Sequence, residues 1–518
     1  MIANPLHRAL SRTSALLLAS LLLLAGCQSL PPRQATESYQ LTDTTATTLA
    51  QQIDPLLLTH PRHSGFYLLN DGKDAFVARY SLIERAELSL DLQYYIWHDD
   101  LTGQTLHNRL LQAADRGVRV RLLLDDLDTT GKSEILRALD HHPNIEIRLF
   151  NPFTDRDGRA GDFVTDLSRV NHRMHNKTLT ADNRASILGG RNIGDEYFNA
   201  TETVAFGDAD VIAIGPVVFD ISVSFDQYWN SEHSWPLSDL AEQVSDSALA
   251  TYRQRSEQAL AQAQKTDYAE ALKTSPLVAH QRLSDLDYVW SDWRLLVDKP
   301  AKIARDKVSP RTHLAPLLAQ ALTQTQSELV IVSPYFVPGK KLTERLSQLV
   351  SEGIRVRILT NSLAANDVPM VHAGYMRYRK ALLEAGVELY EYKVMNENND
   401  RREGRKLGAS KASLHAKAFG VDRRYLFIGS FNLDARSALL NTEIGVIFES
   451  PEHARLLAEA FDRNLPALAY QVTLVDGRLR WRGQEDGEAV VYRHEPNTGW
   501  WQRAQARILS WFVPERML

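Results

Sequence analysis

His175-Asn176-Lys177, followed by Asp182 and then by Gly189-Gly190-Arg191-Asn192, is the stretch from which the rest of the chain can be read. The same constellation returns at His415-Ala416-Lys417, Asp422 and Gly429-Ser430-Phe431-Asn432, so the chain carries H-x-K-x4-D-x6-G-[GS]-x-N twice. If each fixed residue occurs by chance about once in 20 positions, a lone H-x-K-x4-D is expected in roughly one of 16 chains of this length. Two copies with glycine and asparagine in register are a duplication.

In H-x-K the two side chains lie at i and i+2, and on an extended chain they project to one face. Imidazole and ammonium side by side suit a phosphate. Arg184 to Leu188 and Arg424 to Ile428 read as short buried strands running into small residues. Gly190 and Ser430 there allow close approach of backbone or ligand, and Asn192 and Asn432 can donate an amide N–H to a phosphoryl oxygen. Asp182 and Asp422 lie too far along an extended path to reach that phosphate and read as structural.

The doubled motif resembles the signature of the phospholipase D superfamily. That resemblance implies two repeats packed about a pseudo-twofold axis, each an α/β/α sandwich with a mixed central sheet, sharing one site for a phosphodiester. Lys177, Lys417, Asn192 and Asn432 then hold the non-bridging oxygens. One histidine forms a covalent phosphohistidine while the other acts as acid and base. The family assigns His175 as nucleophile and His415 as acid/base, although local symmetry permits the reverse. A nucleophilic imidazole needs its second nitrogen held by an acceptor. Glu202 follows His175 by 27 residues and Glu443 follows His415 by 28, both in Asn-(Ala)-Thr-Glu contexts. Each is expected to orient the histidine of the opposite repeat, Glu443 with His175 and Glu202 with His415. The lysines supply the electrostatic stabilisation, so no metal and no other cofactor is expected.

The length of 518 residues exceeds one core and fits two domains or fused repeats. Asp74–Ala86 reads as a helix, Leu88–Ile96 as a strand, Gly103–Arg116 as a helix and Val118–Leu124 as a strand, an α/β rhythm punctuated by Gly117. Pro316–Gln324, Leu329–Val332, Lys341–Ser351, Gly353 and Ile354–Leu359 repeat it. Gly117-Val-Arg-Val-Arg-Leu122 matches Gly353-Ile-Arg-Val-Arg-Ile358, and Phe225-Asp226 matches Phe461-Asp462 at an offset of 236, against 240 for the histidines. The first repeat is placed at 60–235 and the second at 306–465, with a helical linker at 236–305.

Residues 1–26 have a charged start and a short apolar run from Ala15 to Leu24, and end in Leu24-Ala25-Gly26-Cys27, which describes a secretory signal. The last four residues resemble a bacterial lipobox, which implies lipidation of Cys27. Gln28 after it implies an outer-membrane lipoprotein facing the periplasm. Residues 27–59, rich in Thr, Gln, Pro and Ser, read as a flexible tether. Cys27 is the one cysteine, which leaves none for a disulfide. The net charge of -5 becomes -7 once Arg8 and Arg12 are removed, so nucleic acid is not an expected partner.

Residues 466–518 belong to neither repeat. Val472–Trp481 and Glu488–Tyr492 suggest a hairpin, and 499–512 a basic amphipathic helix carrying Trp501, Ile508 and Phe512 on one stripe. Such a stripe lies in a bilayer interface or packs on the protein body. His372, Tyr375 and Arg377 to Lys380 are candidates for headgroup contact or a solvated helix face.

Tyr94-Tyr95-Ile96-Trp97, Leu122 to Asp126, Gly189 to Tyr197, Thr360 to Asp367, His372 to Tyr375 and Gly429 to Asp434 look like the bacterial cardiolipin synthases, most closely the C-type branch. That likeness implies transfer of a phosphatidyl group to the glycerol headgroup of phosphatidylglycerol, with phosphatidylglycerol or phosphatidylethanolamine as donor. Hydrolysis to phosphatidic acid would use the same residues. A periplasmic nuclease is disfavoured by the acidic charge, and a non-catalytic lipid-binding scaffold by intact His and Lys in both repeats. The sequence names no protein partner.

Overall fold

The structure, a computed structural model, describes residues 30–514 apart from 157–158, 201–203, 243, 281, 305–307, 367, 395–410, 464 and 486. Two mixed sheets flanked by helices are observed, as expected. At the heart of the first, in spatial order, are Asp210–Ile214, Ala185–Gly189, Thr178–Ala181, Ser89–Tyr94, Arg119–Asp125 and Ile145–Phe150. The second repeats that order with Ile444–Glu449, Tyr425–Gly429, Ala418–Val421, Glu328–Val332, Arg355–Asn361 and Glu388–Tyr392. In both, the last three strands are parallel, joined by helices, and the first three antiparallel. Gly117 and Gly353 take the positive φ that ends a helix in each repeat (95° and 87°).

The sequence repeats have a structural meaning. Arg121 lies between Asp91 and Asp226 at 2.7 and 2.8 Å, and Arg357 between Glu328 and Asp462 at 2.5 and 3.1 Å. Both guanidiniums are buried in the sheet and pair with the Asp found at the same offset of 236. A buried cation of this kind is tolerated only because two carboxylates meet it. The halves join through an apolar layer in which Phe66 stacks on Phe448 at 4.4 Å and Leu188 and Val211 pack with Ile428 and Val446.

Three expectations need correction. The tether placed at 27–59 does not describe residues 30–59. Arg148 donates to Thr36 O (2.6 Å), Arg121 to Ser38 O (2.8 Å), and Gln40 N to Asp226 (2.9 Å), after which Thr48–Thr59 is a helix burying Leu49 and Ile53. Buried arginines that need acceptors bind this strap, a long-range effect that composition does not report. The linker at 236–305 is more than helical: Val289–Ser291 is an edge strand of the first sheet and Trp293–Val297 an edge strand of the second. The C-terminal hairpin is a three-stranded meander, Ala469–Val475, Arg478–Glu485 and Glu488–Tyr492, that extends the second sheet by pairing with Glu388–Tyr392. Residues 1–29, with the signal and Cys27, lie outside the described residues.

Candidate active site

His175 and Lys177 sit just before the central strand Thr178–Ala181, and His415 and Lys417 just before Ala418–Val421, extended but outside the strands themselves. Each motif is tied to the backbone of the other repeat. His175 N donates to Thr442 O at 2.9 Å, while His415 N and Ala416 N donate to Gly207 O at 2.8 and 2.9 Å. The segment Lys411–Leu414 also runs parallel to Val204–Gly207 as a two-stranded ladder between the halves. This reciprocity is what a pseudo-twofold relation requires. Both lysines fold back on the preceding histidine: Lys177 Nζ donates to His175 O (2.6 Å) and Lys417 Nζ to His415 O (2.5 Å). Tyr95 and Tyr197 pack edge-on against His175 and His415, with ring centroids 4.9 and 5.3 Å apart.

The carboxylates cross over as well. Glu443 Oε2 lies 2.9 Å from Nδ1 of His175, and Ser430 Oγ donates to the same oxygen at 2.5 Å. Asp298, from the linker, accepts from Glu443 N at 2.9 Å and fixes the approach of that residue. At His415 the carboxylate on Nδ1 is Asp208, whose Oδ2 is 2.5 Å away. The expected partner Glu202 lies outside the described residues.

Sheet register explains this: Gly429 pairs with Gly445 and Gly189 with Asp210, so Glu443 and Asp208 each stand two residues before equivalent positions. The signal was in the sequence. Glu443 is offset from Glu202 by 241 but from Asp208 by 235, next to the 236 of the downstream Phe-Asp pair. Gly190 serves the same pair, since a Cβ built there would fall 2.2 Å from Asp208 Oδ1.

The two sides differ electrostatically. Burial, then the charges of Lys177, Lys417 and His415, hold the His175 ring well below its ordinary range. Burial also pushes the Glu443 carboxyl up to about 7, against the pull of Lys177. Burial would raise Asp208 too, but the charge and hydrogen bond of His415, with Lys417 and Arg191, keep it below the usual carboxylate range. His415 is lowered by burial and Lys417, with Asp208 opposing. Lys177 is taken well below the usual range, first by burial. Each motif therefore feels charges from the other. An anion placed between the buried lysines would favour their charged forms and raise their affinity for protons.

Asn192 donates to Tyr197 OH at 2.9 Å and accepts from Ile96 N at 3.3 Å, so its amide is oriented by its own repeat. Asn432 is buried, and its Oδ1 has no hydrogen-bond partner among the described residues. Asp182 accepts from the backbone N–H groups of Glu87, Leu88 and Ser89, and Asp422 from those of Gln326, Ser327 and Glu328. Each pins the turn after its motif to the start of the neighbouring strand.

Asn176, which the sequence reading passed over, accepts from Thr442 Oγ1 at 2.9 Å and helps lock the crossover. His372 and Tyr375 are buried rather than at a headgroup surface. Arg379 is buried between Glu391 and Glu495 at 2.8 and 2.7 Å, and Arg377 is bound to a helix end described below.

Residues 80–229 and 318–465 match the family described as "Cardiolipin synthase, PLD-like domain". Over 472 residues the chain is 43% identical to cardiolipin synthase C of Escherichia coli K12, covering 91% of this chain and 99% of that one. It is 25% identical to cardiolipin synthase B of the same organism, covering 86% of this chain and 92% of that one. Among solved structures, the phosphatidylserine synthase of Haemophilus influenzae shares the fold at a TM-score of 0.55 and 15% identity, covering 90% of this chain and all of that one. The chain belongs to the cardiolipin synthase family with phospholipase D-like domains.

Proposed function

We propose that this family member makes cardiolipin by transferring a phosphatidyl group to the glycerol headgroup of phosphatidylglycerol. The observation that carries the reading is the 43% identity to cardiolipin synthase C, and the crossed pair of carboxylates supports its chemistry: Nδ1 of each histidine is engaged by the opposite repeat, and Nε2 becomes the ring atom that reacts. Glu443 and Ser430 orient His175, whose depressed proton affinity keeps it neutral and nucleophilic. Asp208, held as an anion, favours a protonated His415 once phosphate offsets the lysine charges.

In the first step His175 Nε2 forms a bond to phosphorus and the bond to the leaving oxygen breaks. The proton of His415 Nε2 passes to that oxygen, releasing glycerol or ethanolamine according to the donor. In the second step a glycerol hydroxyl of phosphatidylglycerol gives its proton to His415, its oxygen attacks phosphorus, and the P–N bond breaks. The proton lost in the first step is thereby restored. Lys177 and Lys417, with Asn192 and Asn432, stabilise charge on the non-bridging oxygens. Lipidated Cys27 and an outer-membrane, periplasm-facing location belong to the same reading, supported by Leu24-Ala25-Gly26-Cys27 and Gln28. So does contact of the aromatic C-terminal helix with lipid. Among the described residues no helix is long and apolar enough to cross a membrane.

The test is incubation of purified protein with phosphatidylglycerol, with and without phosphatidylethanolamine, and product identification by mass. Cardiolipin supports transfer; phosphatidic acid alone would replace it with hydrolysis.

A further inference from the structure

The helix Trp500–Phe512 buries only Ala506 among its residues and turns Trp500, Trp501, Trp511 and Phe512 outward, at 72, 63, 71 and 74% exposure. Its charged residues are Arg503 and Arg507, with no acid among them. Four large aromatic side chains facing water on one helix demand a partner.

The position of this helix matters as much as its composition. Gln502 Nε2 donates to Leu363 O at 3.3 Å, in the loop that leaves the strand Arg355–Asn361. Asn361 at the end of that strand donates to Leu414 O at 2.9 Å, one residue before His415. At the other end Val513 packs with Val337 and Val371, on the segments that follow Glu328–Val332 and Arg355–Asn361. Arg377 closes that end by donating to Ser510 O and Val513 O, both at 2.6 Å. One end is therefore fastened to the loop after Arg355–Asn361 and the other to the helix Pro369–Glu384, both of which follow strands at the active-site edge of the second sheet.

We propose that this helix seats the mouth of the active site on an anionic phospholipid bilayer, so that it positions the enzyme toward substrate as well as attaching it. The face suits a bilayer better than a second copy of the chain. A 13-residue helix is about 20 Å long and about 10 Å wide, a footprint of roughly 200 Å², far below the roughly 800 Å² per partner of a stable protein interface. A bilayer interface needs no such complementarity and favours Trp and Phe flanked by Arg. Exposed Lys340 and Lys341, three and four residues beyond Val337, add positive charge to the same rim. The proposal rests on the transfer reading only for the identity of the lipid that enters.

The test uses the full chain on vesicles of phosphatidylglycerol with brominated acyl chains, beside the variant Trp500→Ser, Trp501→Ser, Trp511→Ser, Phe512→Ser. Tryptophan fluorescence of the unmodified protein should fall by up to about a third, since three of its nine tryptophans are on this helix, and this quenching should vanish in the variant. Turnover of vesicle phosphatidylglycerol should drop about tenfold or more in the variant, with turnover of monomeric dihexanoyl phosphatidylglycerol unchanged. Absence of quenching, or equal loss on both substrates, overturns the proposal. So does sedimentation showing a dimer that the variant dissociates. Quenching without any cardiolipin formed would uphold the docking and remove the transfer reading.

Discussion

Glu443 Oε2 stands 2.9 Å from Nδ1 of His175 although 268 residues separate them. The carboxylate belongs to one repeat and the imidazole to the other, so correct packing of the halves is a condition of a correctly held nucleophile. Glu443→Gln leaves a side chain of the same shape that can still accept a hydrogen bond but no longer carries the carboxylate's negative charge beside the imidazole. Its kcat should fall at least about 100-fold with an unchanged melting profile. Full turnover in a folded Glu443→Gln protein would remove Glu443 from the site.

Asp208 should behave likewise at His415, and Glu202 should not. Asp208→Asn is expected to lower kcat about 100-fold, while Glu202→Gln stays within about threefold of the parent. Steady-state rates of the two variants side by side decide which carboxylate serves His415, and the reverse ranking would refute the register argument.

Asp182→Asn should damage stability and spare chemistry. Its carboxylate is buried and accepts from three consecutive backbone N–H groups, one of which would face an amide NH2 in the variant. Losing charge-assisted bonds of this kind costs about 1–3 kcal/mol. Denaturant titration should show that loss, with kcat of the folded fraction within about twofold of the parent.

Gly190→Ala should act through its neighbour. The new Cβ would meet Asp208 Oδ1 at 2.2 Å, and the carboxylate would have to leave His415. Turnover should fall about as far as in Asp208→Asn, and combining the two should add little, the mark of a shared effect. Additive losses in the double variant would mean that Gly190 acts elsewhere.

The pH profile follows from His175. The ring must be neutral to attack, and burial with Lys177 and Lys417 lowers its proton affinity. A lowered value keeps it neutral to more acidic pH, so the acid limb of kcat/KM should lie below about pH 6.5, the ordinary histidine value. A limb above that value would show that the buried charges do not act on the nucleophile as described.

Much of the site was legible because duplication marks it twice. His175 and Lys177 with His415 and Lys417, and Arg121 and Asp226 with Arg357 and Asp462, recur at nearly constant offsets, and those pairs occupy equivalent places in the two sheets. Asp208 escaped because the first repeat differs in length between its motif and the strand Asp210–Ile214, and a likeness of neighbouring letters pointed to Glu202. The strap at residues 30–47 escaped because its partners, Arg121, Arg148 and Asp226, are far along the chain.

The amino-acid order by itself determined that two halves each bring one imidazole, one ammonium and one glycine-lined turn, since these lie within a few residues of each other and obey local geometry. Only the tertiary structure decided that Asp208 is the carboxylate on His415, and where the aromatic helix lies against the rim. Those contacts join residues more than a hundred positions apart, which no local pattern ties together; the first exists because the apolar layer between the sheets sets one half against the other, the second because the C-terminal helix folds back on the second repeat.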